Sequence, residues 1–256
     1  MPGPWTILVL RFSSIGDIVH TTSVIGTLKK YFPQSKIDFM TLSKFAPLLE
    51  GHPFINKVHA VDINAGYSQL RQTGFEMEMM EYDLAIDLHN TTRSQVIRWG
   101  LITTNHVHIK KPRWNRFKLF ALHQNDFPNN FTVRTWLHEP IQHLLPENFT
   151  IGQSRLFVSE AEKSGINKLL TGDGLNGKYF VVTPGAAWAQ KRWKAERYAR
   201  VIDQCAKEFN MQAVLIGGVG DDICEMIQYS ADSRVIDRHG KTNLRESLAI
   251  ISQAEF

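Results

Sequence analysis

Cysteine is scarce in this 256-residue chain, and it contains no long hydrophobic run. The two cysteines, Cys205 and Cys224, lie in predicted helices, so they indicate neither a disulfide framework nor a zinc site. Arg11 interrupts the first apolar run far short of the length of a membrane span, and no basic region precedes that run. We therefore expect a cytoplasmic protein from a reducing compartment, with peripheral membrane binding as the one alternative.

A strong excess of charge of one sign is also lacking. The chain has 29 Lys and Arg against 25 Asp and Glu, a net charge of +4, which indicates a mild preference for anionic ligands without specifying nucleic acid. One segment differs, because basic residues alternate there with aromatic residues and no acid lies among them. Its residues are Lys110, Lys111, Arg113, Trp114, Arg116, Phe117, Lys118 and Phe120. This segment is either a solvated helix face or a surface that suits phosphorylated lipid headgroups as well as nucleic acid.

Apolar strand patterns alternate with helical patterns along most of the chain, which predicts parallel sheets covered by helices. The pattern loosens over residues 124–153, where turn signals surround one helical stretch that is interrupted at Pro140. We place a domain junction there and predict domains over residues 1–145 and 146–256. The predicted α/β fold has two halves that meet at a cleft. The predicted strands are Ile7–Phe12, Lys36–Met40, Lys57–Val61, Leu84–Asp87, His106–Ile109, Tyr179–Thr183, Ala213–Ile216 and Arg234–Ile236.

Asp17 lies in the turn between the first predicted strand and the first predicted helix. Ligands of parallel α/β units bind at the carboxyl ends of the strands, so this carboxylate lies where chemistry is usually done. Ser14 and Asp17 also have the spacing of a helix capping box. Gly16 favours the functional alternative, since a glycine beside the acid permits close approach of a ligand. Because a helix N-terminus favours the ionised acid, a catalytic Asp17 would need desolvation by substrate to raise its pKa.

A second loop, residues 183–193, leaves a predicted strand and enters a predicted helix. Its small residues Gly185, Ala186 and Ala187 let backbone N–H groups approach an anion, and Lys191 adds a full positive charge. A diphosphate would fit this loop. The alternative is a tight packing turn with Lys191 in solvent.

Six segments occur in an order and at spacings that resemble one known family over essentially the whole chain. They are Arg11-Phe-Ser-Ser-Ile-Gly-Asp17, Phe45-Ala-Pro-Leu-Leu-Glu-Gly51, Tyr82-Asp-Leu-Ala-Ile-Asp-Leu-His89 with Arg93-Ser94, Pro184-Gly185 with Lys191-Arg-Trp193, Leu215-Ile-Gly-Gly218 and Gly240-Lys-Thr-Asn-Leu-Arg245. The sequence thus resembles the bacterial ADP-heptose:lipopolysaccharide heptosyltransferases, glycosyltransferase family 9.

The resemblance implies a GT-B fold, in which two Rossmann-like domains face a central cleft, the first binding the acceptor and the second the nucleotide sugar. It implies inverting transfer of heptose from ADP-heptose to the inner core of lipopolysaccharide, without metal or cofactor. The implied partners are this donor and a lipid-linked acceptor. The expected location is the cytoplasm, with peripheral contact to anionic lipid on the inner face of the inner membrane as the alternative, and no role for nucleic acid is expected.

The same resemblance assigns roles to individual residues. Asp17 matches the catalytic base, and Lys191 matches the lysine on the donor phosphates. Gly185 and Ala186 lie in the phosphate loop. The expected acceptor side comprises Ser14, Gly16, His89 and Arg93. The alternatives are a family 9 enzyme with another nucleotide sugar or acceptor, and a catalytically silent nucleotide-sugar or glycan-binding module.

The sequence departs from the family pattern at three places. Ala186 and Ala187 stand where some members have phosphate-binding hydroxyl residues, and Lys194 stands where many have a proline. The family's donor-binding loop, Asp-(Ser/Thr)-Gly-Pro-Met-His, would begin just after Phe256. We therefore expect a C-terminally truncated second domain that binds donor poorly and exposes an unpaired sheet edge.

Overall fold

The computed structural model describes residues 5–186 and 188–256. The chain divides into two compact units, residues 1–157 and 158–256. Each unit contains one parallel sheet with helices packed against it. The predicted α/β class with two parallel-sheet halves is confirmed.

The sheet of the first unit has five strands in the order β3-β2-β1-β4-β5, and every neighbouring pair is parallel. Ile7 and Val9 of β1 pack into one hydrophobic core, whereas Leu8 and Leu10 pack into the core on the opposite face. β1 is buried on both faces, which explains why its sequence is a continuous apolar run. The strands are β1 (Thr6–Leu10), β2 (Lys36–Leu42), β3 (Lys57–Val61), β4 (Leu84–Asp87) and β5 (Asn105–His108).

The helices of the first unit connect these strands and cover the sheet. They are α1 (Ile15–Tyr31), α2 (Tyr67–Glu78), α3 (Thr92–Arg98), α4 (Arg113–Ala121) and α5 (Val133–His138), with 3-10 helices at Ser43–Leu49 and Glu139–Leu144. The predicted interruption at Pro140 is confirmed, since α5 ends at His138 and Pro140 lies in the first turn of the 3-10 helix that follows. Proline fits there because the first turn of a helix does not use its N–H groups.

Residues beyond 145 pack on α1 of the first unit. The backbone N–H of Gly152 donates to Thr27 Oγ1 at 2.8 Å, and that of Arg155 donates to Thr22 Oγ1 at 2.9 Å. A Cβ atom added to Gly152 would lie 2.6 Å from the carbonyl oxygen of Ser23, so the two backbones are in close contact. These contacts place the division between the compact units at 157/158, twelve residues after the junction placed from the sequence.

The sheet of the second unit has three parallel strands in the order β6-β7-β8. The strands are β6 (Tyr179–Val182), β7 (Gln212–Leu215) and β8 (Val235–Asp237), and the helices are α6 (Glu160–Gly172), α7 (Ala195–Phe209), α8 (Ile223–Ser230) and α9 (Leu244–Gln253), with a 3-10 turn at Ala189–Lys191. α6 was not predicted, although Ser159 and Glu162 form the capping box that begins it.

The sequence predicted an unpaired sheet edge, but the outer edge of β6 makes hydrogen bonds with the chain after α9. The N–H of Val181 donates to the carbonyl oxygen of Phe256 at 2.9 Å, and the N–H of Glu255 donates to that of Tyr179 at 3.0 Å. The chain after α9 thus hydrogen bonds along β6, so this edge is paired at these positions.

Among the described residues, no helix is both long enough and apolar enough to cross a membrane.

Candidate active site

Asp17 lies in the first turn of α1, just beyond the carboxyl end of β1. Its Oδ2 atom accepts hydrogen bonds from the backbone N–H and the hydroxyl of Ser14, each at 3.1 Å, so the half of the predicted capping box in which the acid reaches back to the N-cap is formed. The same oxygen lies 2.7 Å from Arg11 Nη2. The Arg11 side chain is buried and donates to the carbonyl oxygens of Ser13 and Leu88 as well. These bonds hold the carboxylate in place while 36% of its side chain remains exposed.

The charge state of Asp17 follows from these neighbours. Burial raises the pKa of the carboxyl group, but the charge of Arg11 and the hydrogen bonds from Ser14 and Arg11 outweigh burial and leave the pKa below its usual value. Asp17 is therefore ionised at neutral pH and can accept a proton. The lowered pKa also makes it a weaker base than an unperturbed aspartate.

His89 lies beside the loop that carries Asp17. Its ring is 5.1 Å from the ring of Phe12, which follows Arg11 directly. Buried Asp87, at the end of β4, positions the turn because its Oδ1 accepts the N–H groups of His89 and Asn90 at 2.9 and 2.7 Å. Burial, with the charges of Arg11 and Lys111, lowers the pKa of His89 to about 4. The imidazole is therefore neutral at neutral pH.

Gly16 and Arg93 have different surroundings. A Cβ atom added to Gly16 would meet no atom within 4 Å, so open space lies beside the residue and its small size is not needed for packing. Arg93 Nη2 donates to the carbonyl oxygen of Asp62 at 2.9 Å, which ties α3 to the loop after β3. The structure thus groups Ser14, Gly16 and His89 around the Asp17 loop and directs Arg93 toward a different loop.

The predicted phosphate loop lies at the carboxyl end of β6. A Cβ atom added to Gly185 would lie 2.3 Å from the carboxylate of Asp221, and the N–H of Gly218 donates to Asp221 Oδ2 at 2.7 Å. Gly185 therefore has a packing role, since only glycine leaves room for this carboxylate. A diphosphate close to Gly185 would meet the negative charge of Asp221 as well as the backbone N–H groups.

Two cationic residues end this loop. Lys191 is exposed in the 3-10 turn, and Arg192 Nε donates to the carbonyl oxygen of Ala186 at 2.7 Å. α7 begins only at Ala195, with Lys194 at its N-cap and no side-chain cap. The expected helix N-terminus is present, four residues after Lys191. Ala187 lies outside the described residues.

One group of side chains among the described residues could hold a metal ion. The ligand atoms of Cys224, Asp237 and His239 lie within 4.8 Å of one another. His239 Nδ1 lies 2.7 Å from Asp237 Oδ2, so these two side chains already pair with each other. Burial, followed by the charges of Asp237 and Asp221, raises the pKa of the Cys224 thiol to about 12. A metal would need the thiolate, and the structure instead has a His–Asp pair beside a neutral thiol.

Sequence reasoning missed three residues of these loops. Arg11 is the ion-pair partner of Asp17, Asp221 lies against Gly185, and Arg192 closes back on Ala186. A charged residue at the end of a buried strand was a usable signal for Arg11. The sequence offered no comparable signal for Asp221, which meets Gly185 only because β6 and β7 are neighbours.

Comparisons with known proteins agree with the fold. The chain is 26% identical over 278 residues to lipopolysaccharide heptosyltransferase 2 of Salmonella typhimurium, covering 96% of this chain and 74% of the relative. A glycosyltransferase family 9 structure from Veillonella parvula superposes with a TM-score of 0.83 at 20% identity, covering 99% of this chain and 75% of that one. E. coli heptosyltransferase WaaC with ADP-2-deoxy-2-fluoro heptose superposes with a TM-score of 0.66 at 18% identity, covering 98% and 81%. The predicted GT-B fold is confirmed.

The family assignment rests on the match to a family model. The family model described as glycosyltransferase family 9 (heptosyltransferase) matches residues 71–256, which is well over half of the chain. The chain therefore belongs to glycosyltransferase family 9, the heptosyltransferase family, and is a glycosyltransferase.

Proposed function

We propose that this protein transfers heptose from ADP-heptose to the inner core of lipopolysaccharide, with inversion and without a metal or cofactor. The observation that carries the proposal is Asp17, an ionised and partly exposed carboxylate held at the carboxyl end of β1 by Arg11. The donor is supported by the donor analogue bound to the related WaaC structure, and the acceptor by the lipopolysaccharide relative.

In the proposed reaction the first unit binds the acceptor. The acceptor hydroxyl oxygen attacks the anomeric carbon from the side opposite the leaving group, and its proton passes to Asp17. The bond between the anomeric carbon and the diphosphate oxygen breaks, and its electron pair leaves with ADP. Substrate binding removes water from Asp17, which raises its pKa and strengthens it as a base.

The acceptor-side residues of the proposal have distinct tasks. Ser14 orients the carboxylate, and the open space beside Gly16 admits the sugar. Neutral His89 can donate or accept a hydrogen bond with an acceptor hydroxyl. Arg93 holds the loop at Asp62 with one N–H group, and its remaining N–H groups donate to oxygen atoms of the acceptor sugar.

The second unit binds the donor phosphates in this proposal. Negative charge gathers on the departing diphosphate, and Lys191 with the positive end of α7 stabilises it in place of a metal ion. Backbone N–H groups at Gly185 and Ala186 complete the site. Because Asp221 lies against Gly185, the phosphates are placed toward the Lys191 side of the loop.

The test is a transfer assay on the protein. We expect ADP release from ADP-heptose with a lipopolysaccharide inner-core acceptor, an inverted anomeric centre by NMR, and full activity in EDTA. Loss of activity in EDTA, or retention of the anomeric configuration, would overturn the proposed mechanism.

Two alternatives have their own outcomes in this assay. When a panel of nucleotide sugars and acceptors is assayed, a family 9 enzyme with another specificity would release nucleoside diphosphate with a different donor or a different acceptor. A catalytically silent nucleotide-sugar or glycan-binding module would bind ligand and release none.

A further inference from the structure

α4 follows β5 at the carboxyl edge of the first sheet, and its surface is largely exposed. No residue of this nine-residue helix is buried. Its large apolar side chains are exposed, with Trp114 at 62%, Phe117 at 50% and Phe120 at 77%. Solvated helices of globular proteins rarely expose three aromatic rings together, so a partner for this surface is indicated.

Basic residues share this surface with the aromatic rings. On a helical wheel Arg113, Arg116, Phe117 and Phe120 lie within one outward arc, and Trp114 lies at its border. The Trp114 and Phe117 rings stack with centroids 5.3 Å apart, which preorganises an apolar platform. We call the surface of Arg113, Trp114, Arg116, Phe117 and Phe120 the α4 face.

Among the residues that the structure describes, no acid forms an ion pair with Arg113 or Arg116 of the α4 face. The helix contains no acid, and the neighbouring Asp126 pairs with Lys118, which lies off the outward arc, at 2.5 Å. Lys110 and Arg113, near the start of the helix, are exposed and add to the same positive region. Aromatic side chains beside Arg and Lys are the composition of helices that lie in the interface of an anionic membrane.

We propose that the α4 face docks the protein on an anionic phospholipid surface. The aromatic rings enter the boundary between headgroups and acyl chains, while Arg113 and Arg116 bind lipid phosphates. The inference deepens the proposed function and rests on it for the lipid-borne acceptor. The N–H of Ile109 donates to the carbonyl oxygen of Asp87 at 2.9 Å, and Asn90 Nδ2 donates to the carbonyl oxygen of Ile109 at 2.7 Å, so the segment that leads into α4 runs beside the turn that carries His89.

The test measures partition of the chain onto vesicles of phosphatidylethanolamine and phosphatidylglycerol that carry no sugar acceptor. We expect binding that weakens with salt and is absent on phosphatidylcholine vesicles. Arg113→Gln with Arg116→Gln should reduce partition by about 30-fold, from two phosphate contacts. The matched control, Arg200→Gln with Lys207→Gln, removes the same charge from exposed positions of α7 and should leave partition unchanged.

Insertion of the rings has a separate readout. Brominated lipids should quench the fluorescence of the bound chain, and Trp114→Phe should remove most of that quenching while keeping an aromatic ring. Phe117→Ser with Phe120→Ser should lower partition, and circular dichroism checks that these exposed substitutions leave the fold intact.

Three results would overturn the docking proposal. They are equal partition of the α4 double variant and the unmodified chain, an equal loss of partition in the α7 control, and, when RNA binding is measured alongside, a loss of RNA affinity in the α4 double variant without a loss of vesicle partition. Because the vesicles carry no acceptor, these outcomes do not depend on transfer. Activity on a lipid-free acceptor together with absent vesicle binding would remove the docking proposal and leave the proposed function standing.

Discussion

Arg11 and Asp17 form the ion pair that sets the charge state of Asp17 in the first loop. The guanidinium group is buried, and its bonds to the carbonyl oxygens of Ser13 and Leu88 fix its position. A buried partner that cannot move away holds a carboxylate more firmly than a solvated lysine would. Arg11 is therefore a positioning residue that keeps Asp17 ionised.

Arg11→Gln should raise the pKa of Asp17, because the charge that outweighs burial is removed. An NMR titration of the Asp17 carboxyl carbon measures this directly. Ser14→Ala is the control, since it removes one hydrogen bond and keeps the charge, and it should raise the pKa less. An unchanged pKa in Arg11→Gln would show that the ion pair does not set the charge state.

Lys191→Ala should weaken ADP binding by about tenfold or more, since a charge-assisted contact to phosphate is lost. Isothermal titration calorimetry of the protein with ADP gives the affinity. Lys168→Ala removes an exposed lysine from α6 and serves as the control. Equal ADP affinity in Lys191→Ala and the unmodified protein would count against the phosphate role of Lys191.

The candidate site was predictable from the sequence only where the signal was local. The capping contact between Ser14 and Asp17 depends on residues three apart, and the structure contains the bond from the Ser14 N–H to the Asp17 carboxylate. The bond from Arg11 to Leu88 joins residues 77 apart, and no periodicity in the sequence encodes it. The catalytic role of Asp17 and the phosphate role of Lys191 stay predictions.

At the scale of elements, α2 and α3 pack with their backbones in contact. A Cβ atom added to Gly74 would lie 2.2 Å from the carbonyl oxygen of Ile97. Gly74→Ala should therefore lower the free energy of unfolding by about 1–3 kcal/mol through overpacking. Urea denaturation of the first unit measures this change.

Gly165 offers the matched control for that substitution. It lies inside α6, and an added Cβ atom would meet nothing within 4 Å. Gly165→Ala should raise the free energy of unfolding of the second unit by about 0.4–1 kcal/mol. Similar stability changes in the two variants would contradict the close packing of α2 and α3.

A further prediction concerns the ion pair between α6 and α9. Hydrogen bonds from Arg245 and then Ser159 lower the pKa of Glu162 from 4.5 to about 2. Because the folded pKa is the lower one, the stabilisation is complete above pH 4.5 and is lost as the pH falls toward 2. Urea denaturation across this range should show that Glu162→Gln destabilises the chain most at neutral pH and progressively less below 4.5.

Glu160→Gln is the control for this pH dependence. Its carboxylate is exposed on the same helix, so its effect should be small and nearly independent of pH. If Glu162→Gln lowered the free energy of unfolding by the same amount in acid and at neutral pH, the lowered pKa of Glu162 would be contradicted.

The elements themselves were largely predictable, because buried parallel strands and amphipathic helices have distinct periods. β1 and β4 are short apolar runs, and both were predicted close to their observed bounds. The division between the units was placed twelve residues early, since residues 150–155 pack on α1 through hydroxyl groups that leave no apolar pattern.

At the scale of the whole molecule, two parallel-sheet units each present a loop at the carboxyl end of a strand. One loop offers the ionised Asp17, and the other offers the exposed Lys191. In the proposed function the first loop supplies a base for the acceptor hydroxyl and the second supplies a cation for the leaving diphosphate.

The most direct test of this account is the turnover of the Asp17→Asn variant of the protein, with ADP affinity measured on the same samples. The amide can still accept the cap hydrogen bonds but cannot take the acceptor proton. We predict a loss of turnover of about two to four orders of magnitude with unchanged ADP affinity. Turnover close to that of the unmodified protein would show that Asp17 only caps α1, and the central claim would be wrong.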